Sequence, residues 1–129
     1  MSHISKINVK ISDLNCLDKA AKRFKGQLVR DVDTFKWFSR SRPGECNHRL
    51  EFENAQYDIG IKEKTKNDYE LLCDTYSSGG LTQLLGQDLN KLKQAYSLEV
   101  TKQAAMLDGF MVQEKQMSNG NIQLMVSVN

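Results

Sequence analysis

Apolar and polar positions alternate at the start of the chain: Ile7, Val9 and Ile11 stand between Lys6, Asn8 and Lys10. A period of two predicts a half-buried strand over 4–11. Ser12 and Asp13 follow as residues that cap helices. Leu14, Leu17, Ala20, Ala21 and Phe24 then recur at helical spacing. Gly26 is expected to end that helix, with Lys22, Arg23 and Lys25 in its last turn, where positive charge suits the helix dipole.

The middle of the chain reads as strands. Residues 28–32 and 35–38 are rich in β formers. Residues 39–47 hold Pro43, the only proline, followed by Gly44, and read as a loop. Residues 48–52 and 56–61 read as strands, the second with Tyr57, Ile59 and Ile61 on one face. Residues 62–68 read as a charged turn, and 69–76 as a returning strand. Residues 81–107 keep helical spacing through Leu81, Leu85, Leu89, Leu92 and Tyr96, as one long helix or two broken near Tyr96-Ser97. Gly109 is a natural helix stop. Asn119-Gly120 signals a hairpin, and Ile122, Leu124, Val126 and Val128 are expected to turn one face of the last strand to the core. The order β-α-β-β-β-β-α-β-β predicts an α+β fold. One domain over 1–129 should hold an antiparallel sheet of about five to seven strands, helices on one face and a C-terminal hairpin.

Composition adds a folded globule to this picture: of 129 residues, 40% are hydrophobic and 26% charged. A chain of this size buries a core without metal or disulfide staples. Three irregularly spaced cysteines read as reduced thiols in a cytosol-like compartment. The N-terminus has no signal-peptide pattern, and no apolar run approaches the roughly 20 residues of a membrane span. The expected location is cytoplasmic, with no membrane association. The net charge of +2 hides an asymmetry: residues 1–49 carry eleven Lys and Arg against five acids, and residues 50–129 seven against eleven. A basic half points to an acidic protein face or a nucleic acid, or simply to a solvated surface.

Candidate chemistry is sparse. Cys46 and His48 form half of a metal pair, with Cys16, Cys73 and His3 far away in sequence; a surface thiol and a strand-edge histidine is the plainer reading. Ser77-Ser78-Gly79-Gly80 precedes a helix, as phosphate loops do, but lacks the lysine that follows in a nucleotide-binding loop. Cys46, His48 and Asp58 form a nominal Cys-His-Asp set without supporting spacing. No catalytic residue, metal ligand or cofactor-binding residue is assigned, and no cofactor is expected. The chain reads as leaning away from enzymatic activity. The stretch 30–42 is the most distinctive: Arg30, Lys36, Trp37, Arg40 and Arg42 interleave cations with aromatic rings. These are the candidate partner-binding residues. They suit a protein partner or, alternatively, single-stranded nucleic acid, which needs stacking rings beside cations.

Several short motifs occur in order: "MSHISKI" with the Ser12-Asp13-Leu14 helix entry, "YDIGI" at 57–61, Tyr69 with "CDTY" at 73–76, "LNKLKQAY" at 89–96, Gly109-Phe110, and "NGNIQLMV" at 119–126. Together they resemble the conserved hypothetical chloroplast reading frame thirty-five family, a small domain of unknown function in plastids, cyanobacteria and their phages. The resemblance implies an accessory or binding role, with an AAA-type ATPase system as a partner and the plastid stroma as the location of organelle relatives. It supplies no catalytic residues.

Overall fold

The computed structural model describes residues 3–128. Met1 and Ser2, which begin the first quoted motif, and Asn129 lie outside the described residues. The chain runs β1 (Ser5–Ile11), α1 (Leu14–Lys22), β2 (Gly26–Arg30), β3 (Thr34–Phe35), β4 (Gly44–Glu45), β5 (His48–Phe52), β6 (Ile59–Thr65), β7 (Asp68–Cys73), α2 (Leu81–Leu85), α3 (Asn90–Leu107), β8 (Phe110–Gln116) and β9 (Ile122–Val128). Five strands form an antiparallel sheet in the order β1-β7-β6-β5-β2. The fold is α+β, as the alternation of periods predicts.

The helices cover one face of that sheet. Asp13 caps α1 by accepting the N–H of Cys16 at 3.0 Å. Leu14, Leu17, Ala20 and Ala21 then bury against Ile7, Ile11, Leu50, Ile59, Ile61 and Leu71 of the strands. The helix ends at Lys22, earlier than expected. Gly26 opens β2 instead of closing α1, and the position suits glycine because a Cβ there would sit 2.5 Å from the Phe52 ring. The left-handed turn that frees the chain falls on Lys25, at φ 58°.

The opposite face has a smaller cover. Phe35 is buried, with its ring lying over Gly44 and Gly60; a Cβ at either glycine would stand 2.3–2.4 Å from it. The predicted strand over 35–38 is therefore cut to Thr34–Phe35, paired with Gly44–Glu45 inside the expected loop. The expected charged turn over 62–68 is also corrected. β6 runs on to Thr65 and β7 begins at Asp68, so only Lys66 and Asn67 turn, with Asn67 at φ 59°. Residues 62–67 are exposed throughout. Ladder hydrogen bonds hold this extension, which outruns the core and so carries no apolar signature.

The helical region splits, but at 86–89 rather than near Tyr96-Ser97. Gly86, Asp88 and Leu89 all have positive φ, whereas α3 passes unbroken through Tyr96. The buried Tyr96 places its hydroxyl oxygen where it accepts the backbone N–H groups of Ser12 and Asp13, at 3.0 and 3.1 Å. This ties α3 to the entry of α1.

The stripe of α3 that faces inward changes character along its length. Leu92, Ala95 and Tyr96 pack in the core, while Glu99, Lys102 and Gln103 continue the same face in polar form. Here the β8–β9 hairpin is moored. Glu114 pairs with Arg23, the residue that closes α1, and with Lys102 at 2.7 Å, and the buried Glu99 stands 3.5 Å from Arg23 and 3.6 Å from Lys102. The two hydrogen-bonded cations hold the Glu114 carboxyl down to about 2. The hairpin forms its own two-stranded sheet and does not join the main one. Its last strand therefore lacks the expected core face: Ile122 and Leu124 are half-buried, but Val126 is 49% and Val128 81% exposed. The turn is made by Met117 to Gly120, with Gly120 alone left-handed at φ 87° and its N–H bonded to the Met117 carbonyl at 3.1 Å.

Candidate functional site

The loop from Phe35 to Pro43 is shaped by two buried carboxylates at the adjoining ends of neighbouring strands, Asp58 just before β6 and Asp74 just after β7. Asp58 accepts the N–H of Lys36 at 2.8 Å, and its own N–H donates to the Lys36 carbonyl at 2.9 Å. Asp74 accepts the N–H of Phe38 at 3.3 Å and that of Tyr76 at 2.9 Å. Burial pushes the Asp58 carboxyl above its ordinary range. These acids hold backbone amides in place, the use of buried polar groups that satisfies them best. Trp37 closes the loop by donating its indole N–H to the Arg42 carbonyl, and Arg42 donates its N–H to the Ser39 hydroxyl at 3.2 Å.

The loop presents Phe38 to solvent, where it meets the exposed Tyr76 from the segment after β7 as an edge-to-face pair, with ring centroids 6.0 Å apart. Beside it lies an open cleft of about 540 Å³ whose lining includes Lys36, Arg40, Arg49, Glu51 and Asp58. Arg49 is committed within the fold, donating to Glu51 at 2.9 Å and to the Thr34 carbonyl at 3.0 Å. Lys36, Arg40 and Arg42 are exposed.

Of the five residues singled out in the sequence, Lys36 and Arg40 line this cleft, and Trp37 and Arg42 belong to the same loop. Arg30 stands apart at the end of β2, where it donates to Asn15 of α1 at 2.8 Å. Trp37 is half-buried and bonded, so the exposed ring of the loop is Phe38. Sequence reasoning missed Tyr76 and the anchoring roles of Asp58 and Asp74. The available signal was an acid inside each apolar strand end, in "YDIGI" and "CDTY".

The other candidates dissolve into architecture. Cys46 is buried rather than a surface thiol, and burial raises its pKa. His48 lies on β5, between β2 and β6, and its Nδ1 accepts the N–H of Asp31 at 3.0 Å. Among the described residues no hydrogen bond joins Cys46, His48 and Asp58, and no group of three or more His, Cys, Asp or Glu stands together as a metal-holding set. The Ser77–Gly79 turn is occupied internally: Gly79 offers its carbonyl to Gln56 and Tyr57, and the Ser78 hydroxyl meets that of Tyr57 at 2.9 Å. No helix among the described residues is long and apolar enough to cross a membrane.

The chain is an α+β protein whose cationic and aromatic loop is tied by its backbone to two buried aspartates. It belongs to a family of proteins of unknown function, DUF1257, which matches residues 41–125. The match covers β4 to most of β9 and starts just after Arg40. The chain matches no curated protein and no solved structure.

Proposed function

We propose that this protein is a non-enzymatic accessory protein whose loop over 36–42 docks an acidic face of a protein partner. The observation that carries this reading is an exposed Phe38, paired with Tyr76 from beyond β7, on the same loop as Lys36, Arg40 and Arg42, whose backbone is held by two buried aspartates. A preorganised loop loses little conformational freedom on binding. Aromatic rings beside cations are the side chains on which interfaces concentrate their energy. The resemblance to the chloroplast reading frame thirty-five family adds an AAA-type ATPase system as a partner and a cyanobacterial, phage or plastid setting to the proposal.

Affinity capture from the native host tests it. Reversing Arg40 and Arg42 to Glu, or truncating Phe38 to Ala, is expected to reduce recovery of a defined partner at least tenfold; undiminished recovery by both variants removes the proposal. The same rings and cations also suit single-stranded nucleic acid. Titrating salt against RNA and DNA oligonucleotide binding separates the two readings, because phosphate contacts give a steep dependence.

A further inference from the structure

The edges of the main sheet and of the β8–β9 hairpin are treated differently. An exposed sheet edge carries unpaired N–H and C=O groups that template another strand, and proteins blunt such edges with charge, bulges, short strands or covers. The main sheet uses these devices. Edge strand β1 carries Lys6 and Lys10 and shifts register between Ile7 and Ile11. Edge strand β2 is short, ends in Arg30, and has the N–H of Leu28 occupied by Asp18 at 3.0 Å. In the hairpin, β8 carries Glu114 and Lys115. Strand β9, Ile-Gln-Leu-Met-Val-Ser-Val, has no charge, no proline and no register shift.

The register shows which groups that edge offers. Met117 donates to the Asn121 carbonyl at 2.8 Å, so these two form a hydrogen-bonded pair. Hydrogen-bonded and non-hydrogen-bonded pairs alternate along an antiparallel ladder. Ile122, Leu124, Val126 and Val128 fall on the non-hydrogen-bonded pairs with β8, so their backbone N–H and C=O groups point outward. Their side chains share one face with Phe110 and Val112.

We propose that β9 is the docking edge for a second copy of this chain, paired antiparallel about a twofold axis at Met125. In that register Ile122 stands opposite Val128 of the other copy, Leu124 opposite Val126, Gln123 opposite Ser127, and Met125 opposite itself. Apolar meets apolar and polar meets polar at every position, and the residues with outward backbone groups form the hydrogen-bonded pairs. The strand is thus complementary to its own reversal. A charged residue at its centre would face its own copy across the axis, and β9 carries none. The exposed Val126 and Val128 come alongside Leu124 and Ile122 of the neighbour, which explains an apolar strand left uncovered by its own helices. The result is a four-stranded sheet, β8-β9 continued into β9-β8 of the other copy, with an isologous interface.

Sedimentation of the purified protein tests this. The wild type is expected at twice 14.7 kDa at about 100 μM, where even a dimer with a Kd of about 10 μM is mostly assembled. Met125→Lys and Met125→Glu are each expected to sediment as monomers with unchanged circular dichroism, because like charges meet on the axis. Mixing the two is expected to restore the dimer. Val126→Pro removes an outward N–H that the chain's own hairpin does not use, and is expected to give a monomer by a second route. Met125→Cys is expected to crosslink two copies on oxidation, whereas Gln123→Cys, set opposite Ser127, is not; the three native cysteines are buried. A wild-type monomer at about 100 μM overturns the proposal, including one whose β9 captures a strand of another protein. A dimer indifferent to Met125→Lys and Val126→Pro, or equal crosslinking by the two cysteine variants, also overturns it.

Discussion

At the residue scale, glycines and aspartates do work that apolar periodicity does not express. Gly60 in "YDIGI" exists to admit the Phe35 ring, Tyr57 meets Ser78, Asp58 holds the Lys36 amide, and Ile59 and Ile61 fill the core. Every position of that motif therefore has a structural task. Gly60→Ala is expected to destabilise the fold by about 1–3 kcal/mol, the usual cost of forcing extra volume into a packed core. A urea or thermal denaturation series reads this directly. Gly109→Ala makes an informative comparison: it has open space for a Cβ, so its cost is confined to the strain of a φ of 85°. The pattern over 56–61 reads as a strand, which holds for Gly60 in β6 but not for Asp58 just before it, and it does not show that a distant phenylalanine and a loop amide close on them. Such contacts cross more than twenty positions of chain.

At the element scale, the hairpin is held by charge where the rest of the molecule is held by apolar packing. Glu114 lies near 2 in the folded state against an ordinary value of 4.5, so the native hairpin binds fewer protons than the detached one. Its contribution is complete above about pH 4.5 and is lost as pH falls towards 2. Hydrogen exchange across Phe110–Gln116 is expected to accelerate in that window before the strands of the main sheet respond. Glu114→Gln should show fast exchange already at neutral pH, with little further change on acidification. Raising salt should weaken the mooring too, because Glu114, Arg23 and Lys102 are each about a quarter exposed. The hairpin itself was legible from Asn119-Gly120 and from alternation. Alternation tells a strand's apolar face from its polar one, but not whether the apolar face meets this chain's core. That is how Ile122–Val128 came to read as a core strand.

At the scale of the whole molecule, a main sheet with blunted edges is joined to a hairpin that has one bare edge. Because β8 and β9 add no strand to the main sheet, a chain ending at Asp108 is expected to retain slow exchange in β5, β6 and β7. Loss of protection there would show that the hairpin supports the sheet through Arg23 and Glu99. The same truncation should abolish self-association while leaving the 36–42 loop competent to bind.

The sequence by itself determined the α+β class, the capped first helix, most strands of the antiparallel sheet and the terminal hairpin. Each of these follows from local period, caps and turn residues, which act between near neighbours. The candidate loop was legible as a cluster of cations and rings. Only the tertiary structure decided that Arg30 leaves that cluster, that Tyr76 joins it, that Cys46 and His48 are structural, and that β9 stands outside the core. These depend on which surfaces meet across the chain. A one-dimensional pattern records how apolar a face is, whereas its partner is chosen by the packing of the rest of the fold.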